Sequence, residues 1–124
     1  MKRLVALLER KPGMSVEDFR TYYETRHAPL ISSFLVPGVE YRRTYVDHST
    51  LFGANVPDPA DQPGIDCDVI TTLSFPTEEI FTAAMAGLRA PENAAKVAAD
   101  EENFIDRPRK RIFITNECFE SHLG

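Results

Sequence analysis

His27 is the residue of this sequence best suited to acid–base chemistry. An imidazole has an ordinary pKa of about 6.5, so it exchanges a proton near neutral pH without a cofactor. Phe19, Tyr23 and His27 are spaced four residues apart, which places them along one face of a helix. Tyr23 could therefore orient a substrate oxygen beside His27. The alternative is a core histidine whose ring is satisfied by a carbonyl or by a helix C-terminus.

A second group of chemically capable residues is the acidic run that contains Asp100 and Glu101. Crowding raises the pKa of at least one carboxyl in such a run. Asp100 or Glu101 could therefore polarise His27 or bind a basic partner. The alternative is a solvated acidic turn that pairs with the arginines following it.

Tyr41, Arg43 and Tyr45 alternate along a predicted strand and so share one of its faces. An arginine suits a carboxylate or an enolate, and tyrosines suit a flat aromatic molecule. We therefore consider Tyr41 and Arg43 as candidate substrate contacts. The alternative is a ladder of side chains at a sheet edge or a dimer interface.

The sequence contains no motif that is typical of a metal or cofactor site. Its two cysteines, Cys67 and Cys118, are too few for a four-ligand cysteine site, and no CxxC, HExxH, GxGxxG or P-loop pattern occurs. His27 and the distant carboxylates also lack a metal-ligand spacing. We expect no metal and no cofactor, and we expect both cysteines to be buried thiols too far apart for a disulfide.

Composition excludes several classes of protein. The 124 residues, 43% hydrophobic and 27% charged, suit one folded domain over residues 1–124. The longest apolar run, Leu4 to Leu8, is too short for a membrane span or a signal-peptide core, so we expect a cytoplasmic protein. A net charge of -5 argues against nucleic-acid binding. The basic cluster from Arg107 to Arg111 is interpreted as a solvated lead-in to the last strand.

Four strands and two helical regions are predicted to position these side chains. Pro29 should place His27 near a helix end or kink. Gly87 and Pro91 should break the second helix, with another helical turn running from Pro91 through Ala98. The segment Ser49 to Ile65 is a long loop, either a lid or a surface insertion. The predicted strands are Lys2 to Glu9, Val39 to His48, Cys67 to Phe75 and Arg111 to Phe119, and the helices begin at Ser15 and Thr77.

This order of elements predicts an α+β fold, a ferredoxin-like βαββαβ sandwich with strand order 2-3-1-4. Two helices cover only one face of such a sheet, whereas the first and last strands are apolar on both faces. A second copy of the sheet is the most economical cover, so we expect a homodimer. A monomer with an exposed apolar face is the alternative.

Two stretches of the chain resemble the EthD-like family. The first is Arg10-Lys11-Pro12-Gly13-Met14-Ser15, followed by Phe19, Tyr22-Tyr23-Glu24 and Arg26-His27-Ala28-Pro29-Leu30. The second is Ala99-Asp100-Glu101-Glu102-Asn103-Phe104-Ile105-Asp106. The resemblance implies that ferredoxin-like domains assemble as a dimeric α+β barrel. It also implies a catalytic site with His27, Asp100 and Glu101, and substrate contacts from Tyr23 and Phe104.

The resemblance does not imply one reaction. Bacterial members are linked to ether-degradation operons, fungal members resemble decarboxylases and dehydratases of aromatic polyketides, and wider fold relatives include isomerases and monooxygenases. We expect a small cofactor-independent enzyme that acts on a hydrophobic carbonyl or phenolic compound. His27 would move a proton, and Tyr23 or Arg43 would stabilise developing negative charge. The alternatives are a non-catalytic small-molecule-binding or accessory stability protein of a catabolic operon, and a haem-binding protein.

Overall fold

The computed structural model describes residues 1–48 and 67–124 and has the predicted α+β architecture. One four-stranded sheet packs against helices on one of its faces. The predicted loop Ser49 to Ile65 lies outside the described residues. The elements are β1 (Lys2–Leu8), α1 (Val16–Tyr22), a π-helical turn (Tyr23–His27), α2 (Ala28–Ser32), β2 (Glu40–Tyr45), β3 (Val69–Phe75), α3 (Glu78–Arg89), α4 (Pro91–Glu101), a 3-10 turn (Arg107–Arg109) and β4 (Arg111–Thr115).

The strand order β2-β3-β1-β4 confirms the predicted topology. All three neighbouring pairs are antiparallel. In this register Ala6 of β1 lies opposite Thr71 of β3 on one side and Ile112 of β4 on the other. Thr71, Ala6 and Ile112 therefore form one row across the sheet.

Both helical regions begin at the predicted caps. The Ser15 side chain accepts a hydrogen bond from the Asp18 backbone N–H at 3.0 Å. The Thr77 side chain accepts one from the Ile80 backbone N–H at 3.1 Å. Each cap satisfies a helix donor that has no partner within the helix, and it fixes where the helix leaves the preceding loop.

Pro29 does not end the first helical region, so of the two alternatives expected from sequence, a helix end or a kink, the helix end is wrong. The chain stays helical through Ala28 to Ser32, and the preceding turn widens so that the Ala28 N–H donates to the Tyr23 carbonyl five residues back. Proline has no N–H and its ring crowds the carbonyl four residues before it. The π-helical turn accommodates this proline without interrupting the helix.

Gly87 also fails to break its helix. A side chain at this position would have no room, because a Cβ would lie 2.5 Å from the carbonyl oxygen of Phe34. Pro91 opens α4 at its first residue, where the missing N–H is not needed. α4 then runs to Glu101, beyond the predicted Ala98.

The core lies between the sheet and the helices as two clusters. The first contains Phe19, Tyr23 and Phe104, which are 0%, 1% and 0% exposed. The second contains Leu73 and Phe75 of β3 with helix residues packed on them. The first cluster joins α1 to the segment after α4, so residues distant in sequence are held above the same strands.

The opposite face of the sheet keeps apolar side chains at the surface. Ile70 and Phe113 are 38% and 45% exposed. Val5 of β1 lies opposite Phe113, and Leu7 lies opposite Ile70. In the described part of the chain, the helices leave this face uncovered, as the alternation of apolar residues predicts.

The two cysteines differ, and the expectation that both are buried was wrong for one of them. Cys67 is buried, whereas Cys118 is exposed, and both are free thiols. β4 ends at Thr115 and does not reach Phe119. Cys118 therefore lies beyond the sheet.

We expect Gly87→Ala to destabilise the fold by about 1–3 kcal/mol, because the added methyl would overlap the backbone oxygen of Phe34. Helix propensity alone predicts the opposite sign, since alanine is favoured over glycine by about 1 kcal/mol. The matched control is Ala86→Gly at an exposed position of the same helix, which should cost about 1 kcal/mol. Chemical denaturation measures the free energy of unfolding of both variants. A Gly87→Ala protein as stable as the wild type would contradict the close contact.

Candidate active site

A cavity of about 390 Å³ lies between the sheet and the helices. Strands β1 and β3 form its floor, and the π-helical turn, α2, α3 and α4 form its walls. Most of its lining is apolar, including Leu4, Leu8, Met85 and Val97. Its polar lining side chains are Tyr23, His27, Tyr41, Thr71, Glu101, Arg107 and Lys110.

His27 is hydrogen-bonded to Asp100 at the wall of this cavity. His27 Nδ1 lies 2.8 Å from Asp100 Oδ2, and His27 is only 3% exposed. An ionised carboxylate can only accept, so Nδ1 carries the hydrogen and donates it. Nε2 then holds the lone pair and is the ring nitrogen that can take up a proton.

Burial lowers the pKa of His27 below its ordinary value, because desolvation disfavours the imidazolium. The hydrogen bond from His27 to Asp100 and the negative charge of Asp100 act in the opposite direction without outweighing burial. His27 is therefore neutral at pH 7. This is the protonation state that a general base needs.

Asp100 is held at both of its carboxylate oxygens. Tyr22 Oη donates to Asp100 Oδ1 at 2.7 Å, and Asn103 Nδ2 donates to Tyr22 Oη at 3.0 Å. The ring of Phe104 packs against the imidazole of His27, with 4.8 Å between the ring centroids. These contacts leave the imidazole little freedom to rotate, as is typical of a histidine positioned for proton transfer.

Three hydroxyl groups form a chain at the other side of the cavity floor. Tyr41 Oη donates to Tyr23 Oη at 2.9 Å, and Tyr23 Oη lies 2.6 Å from Thr71 Oγ1. Burial raises the pKa of Tyr23 and of Tyr41, so both phenols keep their protons. Three hydroxyl hydrogens serve two hydrogen bonds within this chain. One hydrogen therefore remains to be donated to another acceptor, such as a substrate oxygen.

Glu101 faces the cavity and is paired with two cations. Lys110 Nζ lies 2.9 Å and 3.0 Å from the two carboxylate oxygens, and Arg107 Nε lies 3.2 Å from Oε1. The basic stretch that was expected to be a solvated lead-in therefore brings Lys110 and Arg107 to the cavity wall. That interpretation of the sequence was wrong for these two residues.

The structure brings most of the predicted site residues together. The helix face that carries Tyr23 and His27 is buried against the sheet, as their spacing predicts. Asp100 contacts His27 directly, and Glu101 reaches the cavity on a different side. Tyr41 lines the cavity from β2.

Arg43 and Phe104 occupy positions that differ from those expected of substrate contacts. Arg43 lies outside the cavity lining and donates two hydrogen bonds to Glu24, from Nε at 2.9 Å and from Nη2 at 2.7 Å. Phe104 is fully buried behind His27 and Tyr23. We assign Arg43 an ion-pairing role at the sheet edge and Phe104 a packing role.

Sequence reasoning missed Thr71, Arg107 and Lys110 as cavity residues. Thr71 alternates with the buried residues Val69 and Leu73, so its inward direction could have been found from the period of the strand. No comparable signal exists for Arg107 and Lys110, because they lie at the start and directly after the end of a 3-10 turn whose direction depends on the fold.

Two features are absent from residues 1–48 and 67–124. None of the helices there is both long enough and apolar enough to span a membrane. In the same residues, no group of three or more His, Cys, Asp or Glu side chains is arranged to hold a metal ion.

A sequence model of the EthD domain matches residues 11–108 of the chain. The chain is 30% identical over 111 residues to the dehydratase ustZ of Ustilaginoidea virens, covering 85% of this chain and 75% of the relative. It is 33% identical over 110 residues to the conidial pigment biosynthesis dehydratase EthD of Metarhizium robertsii, covering 85% and 74%.

The fold is also similar to a solved structure. An ethyl tert-butyl ether degradation (EthD) family protein of Bacillus halodurans superimposes with a TM-score of 0.59 at 20% sequence identity. The match covers 95% of this chain and 99% of that one. At this level of identity the similarity supports the fold alone.

We expect Asp100→Asn to lower the pKa of His27 further, because it removes the charge that favours the imidazolium. A pH titration of the His27 ring resonances by NMR measures this shift. Asp18→Asn, at an exposed position of α1, is the matched control and should leave the titration unchanged. An unchanged or raised pKa in Asp100→Asn would show that Asp100 does not act on the imidazole as its position requires.

Proposed function

This chain belongs to the EthD domain family, and we propose that it is a small enzyme that eliminates water from a hydrophobic carbonyl compound. The observation that supports this most is a neutral, buried histidine whose Nδ1 is tied to a carboxylate at the wall of an apolar cavity. Two relatives named dehydratases favour this reaction over decarboxylation, isomerisation or oxygenation.

His27 is proposed as the group that moves the proton. Nε2 takes the proton from the carbon next to the substrate carbonyl, and the electrons of the C–H bond form an enolate. The enolate then re-forms the carbonyl as a carbon–carbon double bond forms and the bond to the β-hydroxyl breaks. The imidazolium returns its proton to that leaving hydroxyl, so the products are one enone and one water. Asp100 is a positioning residue that stabilises the transient imidazolium.

The chain of hydroxyl groups is proposed to stabilise the enolate oxygen. The spare hydrogen of the Tyr41–Tyr23–Thr71 chain can be donated to an oxygen that gains negative charge in the transition state. The apolar walls reduce competition from water, which strengthens such a hydrogen bond. This arrangement keeps Tyr23 in the role that the sequence suggested for Tyr23 or Arg43, and it places Tyr41 and Thr71 beside Tyr23 instead of Arg43.

The substrate is proposed to be a flat molecule of modest size with a largely apolar skeleton. A cavity of about 390 Å³ lies within the range of roughly 300–1,000 Å³ that is typical of small-molecule sites. Tyr41 and Tyr23 offer aromatic surface at the floor, and aliphatic side chains form most of the rest. The proposed reaction needs no oxidant or reductant, because a proton and a hydroxide leave together as water with no net change of oxidation state.

His27→Gln should lower kcat/KM at least about 100-fold, since glutamine keeps the approximate size but cannot exchange a proton near pH 7. The assay uses β-hydroxy ketones that carry one or two aromatic rings, and it follows enone absorbance and the loss of one water by mass spectrometry. His122→Gln, at a highly exposed position, is the matched control and should remain fully active.

The pH dependence follows from the same protonation state. Because the pKa of His27 is lowered, kcat/KM should fall on the acidic side with a midpoint below about 6.5, the ordinary value of an imidazole. Wild-type turnover retained in a folded His27→Gln protein would contradict the proposal. Tight binding of these ketones without product would favour the alternative of a non-catalytic small-molecule-binding protein.

A homodimer is proposed to cover the open face of the sheet. The apolar side chains of Ile70 and Phe113 are exposed on that face, and burying them against a second sheet is favourable. The two free thiols suit a reducing compartment, so a cytoplasmic location is part of the same proposal.

The dimer should have twice the 14.0 kDa mass of one chain in size-exclusion chromatography with light scattering. Phe113→Asp should shift the protein to the monomer, because it places a charge within the interface. Ala95→Asp, exposed on α4, is the control and should remain dimeric. A wild-type protein that is monomeric at micromolar concentration would exclude this assembly.

A further inference from the structure

We infer that the cavity binds an organic anion, with Lys110 as the residue that selects a carboxylate or phenolate on the ligand. This inference rests on the proposed function in one respect: it names the class of substrate that the same cavity would take. It depends on charges at the wall opposite the hydroxyl chain and not on His27.

The cavity wall carries more positive than negative charge at one end. Glu101 is the one acidic side chain in the described lining, and it is 7% exposed. It is paired with both Lys110 and Arg107. Glu102, the second partner of Arg107, is 67% exposed and does not line the cavity. One positive charge at this end is therefore not neutralised within the cavity.

Hydrogen-bond donors also remain on the two cations. The ammonium group of Lys110 has three N–H hydrogens, and Glu101 engages it through two oxygens. Arg107 donates from Nε to Glu101 and from Nη1 to Glu102. Within residues 1–48 and 67–124, no acceptor is hydrogen-bonded to the third Lys110 hydrogen or to the Nη2 group of Arg107. An anionic oxygen that enters the cavity can accept from them.

Partial burial makes this charge effective. The side chain of Lys110 is 22% exposed and that of Arg107 is 36% exposed. Charges near an apolar wall are screened less than charges on an open surface. Glu101 holds both cations in place, so it acts as a positioning residue and not as a proton donor or acceptor.

The register of the sheet sets the length of molecule that fits. Thr71 and Ile112 lie on either side of Ala6, so they are separated by two strand spacings, or roughly 10 Å. Lys110 directly precedes β4, on the Ile112 side. A molecule whose carbonyl oxygen meets the hydroxyl of Thr71 would thus present its far end to Lys110. Two fused rings with an anionic group at the far end match this length.

The test compares two probes of equal shape and different charge. The probes are 6-hydroxy-2-naphthoate and 6-hydroxy-2-naphthamide at pH 7.5, and isothermal titration calorimetry measures their binding. The wild type should bind the carboxylate at least about tenfold more tightly than the amide, and added salt should reduce this ratio. Lys110→Met should reduce the ratio to below about threefold while keeping the affinity for the amide. Lys96→Met, an exposed lysine of α4, is the control and should keep the wild-type ratio.

Several outcomes would overturn the inference. One is equal affinity of the wild type for both probes. Another is a ratio of the two affinities that is unchanged in Lys110→Met. A third is no detectable binding of either probe at millimolar concentration. If Lys110→Met does not fold, Lys110→Gln takes its place, and the ratio must fall in that variant as well. The His27→Gln protein should keep the preference for the carboxylate. Failure of anion selection is thereby distinguished from failure of the proposed catalysis.

Discussion

The hydrogen bond between His27 Nδ1 and Asp100 Oδ2 is the interaction on which the candidate site depends. It joins the π-helical turn to the end of α4 across 73 residues of sequence. A buried imidazole N–H without an acceptor would cost about 1–3 kcal/mol, so α4 must end where its carboxylate can reach the ring. The cavity walls formed by these two elements are thereby held in one relative position, and the same bond leaves Nε2 as the basic nitrogen.

The wide turn before Pro29 makes this geometry possible. Four residues of an α-helix advance by about 40° beyond one full turn, so a side chain four positions on drifts around the helix. A π-helical turn has more residues per turn and offsets that drift. The rings of Tyr23 and His27 accordingly stay close, with 5.4 Å between their centroids, and both contact Phe104. Pro29 thus contributes to the placement of His27 through a helix irregularity rather than a helix end.

The predictable parts of this molecule are those with local signals. The order of the helices and strands could be predicted from the helix caps at Ser15 and Thr77 and from the alternation of strand residues. The order of the strands in the sheet followed from the handedness of the crossover connections. The pairing of His27 with Asp100 was accessible only as one of several hypotheses, since the two residues are far apart in sequence. The inward direction of Lys110 was not predictable, because basic residues beside a strand are usually solvated and only the packed fold shows that Glu101 is buried next to it.

Asp100 and Glu101 show how one helix end can serve two electrostatic roles. Successive residues on an α-helix point about 100° apart, so the two carboxylates diverge. Asp100 takes hydrogen bonds from His27 and Tyr22, whereas Glu101 takes those of Lys110 and Arg107. The charge of Glu101 raises the pKa of His27 and the charge of Lys110 lowers it, so their pairing limits the effect of either on the imidazole. A neutral base and a pair of cations can therefore share one small cavity, because each has its own carboxylate.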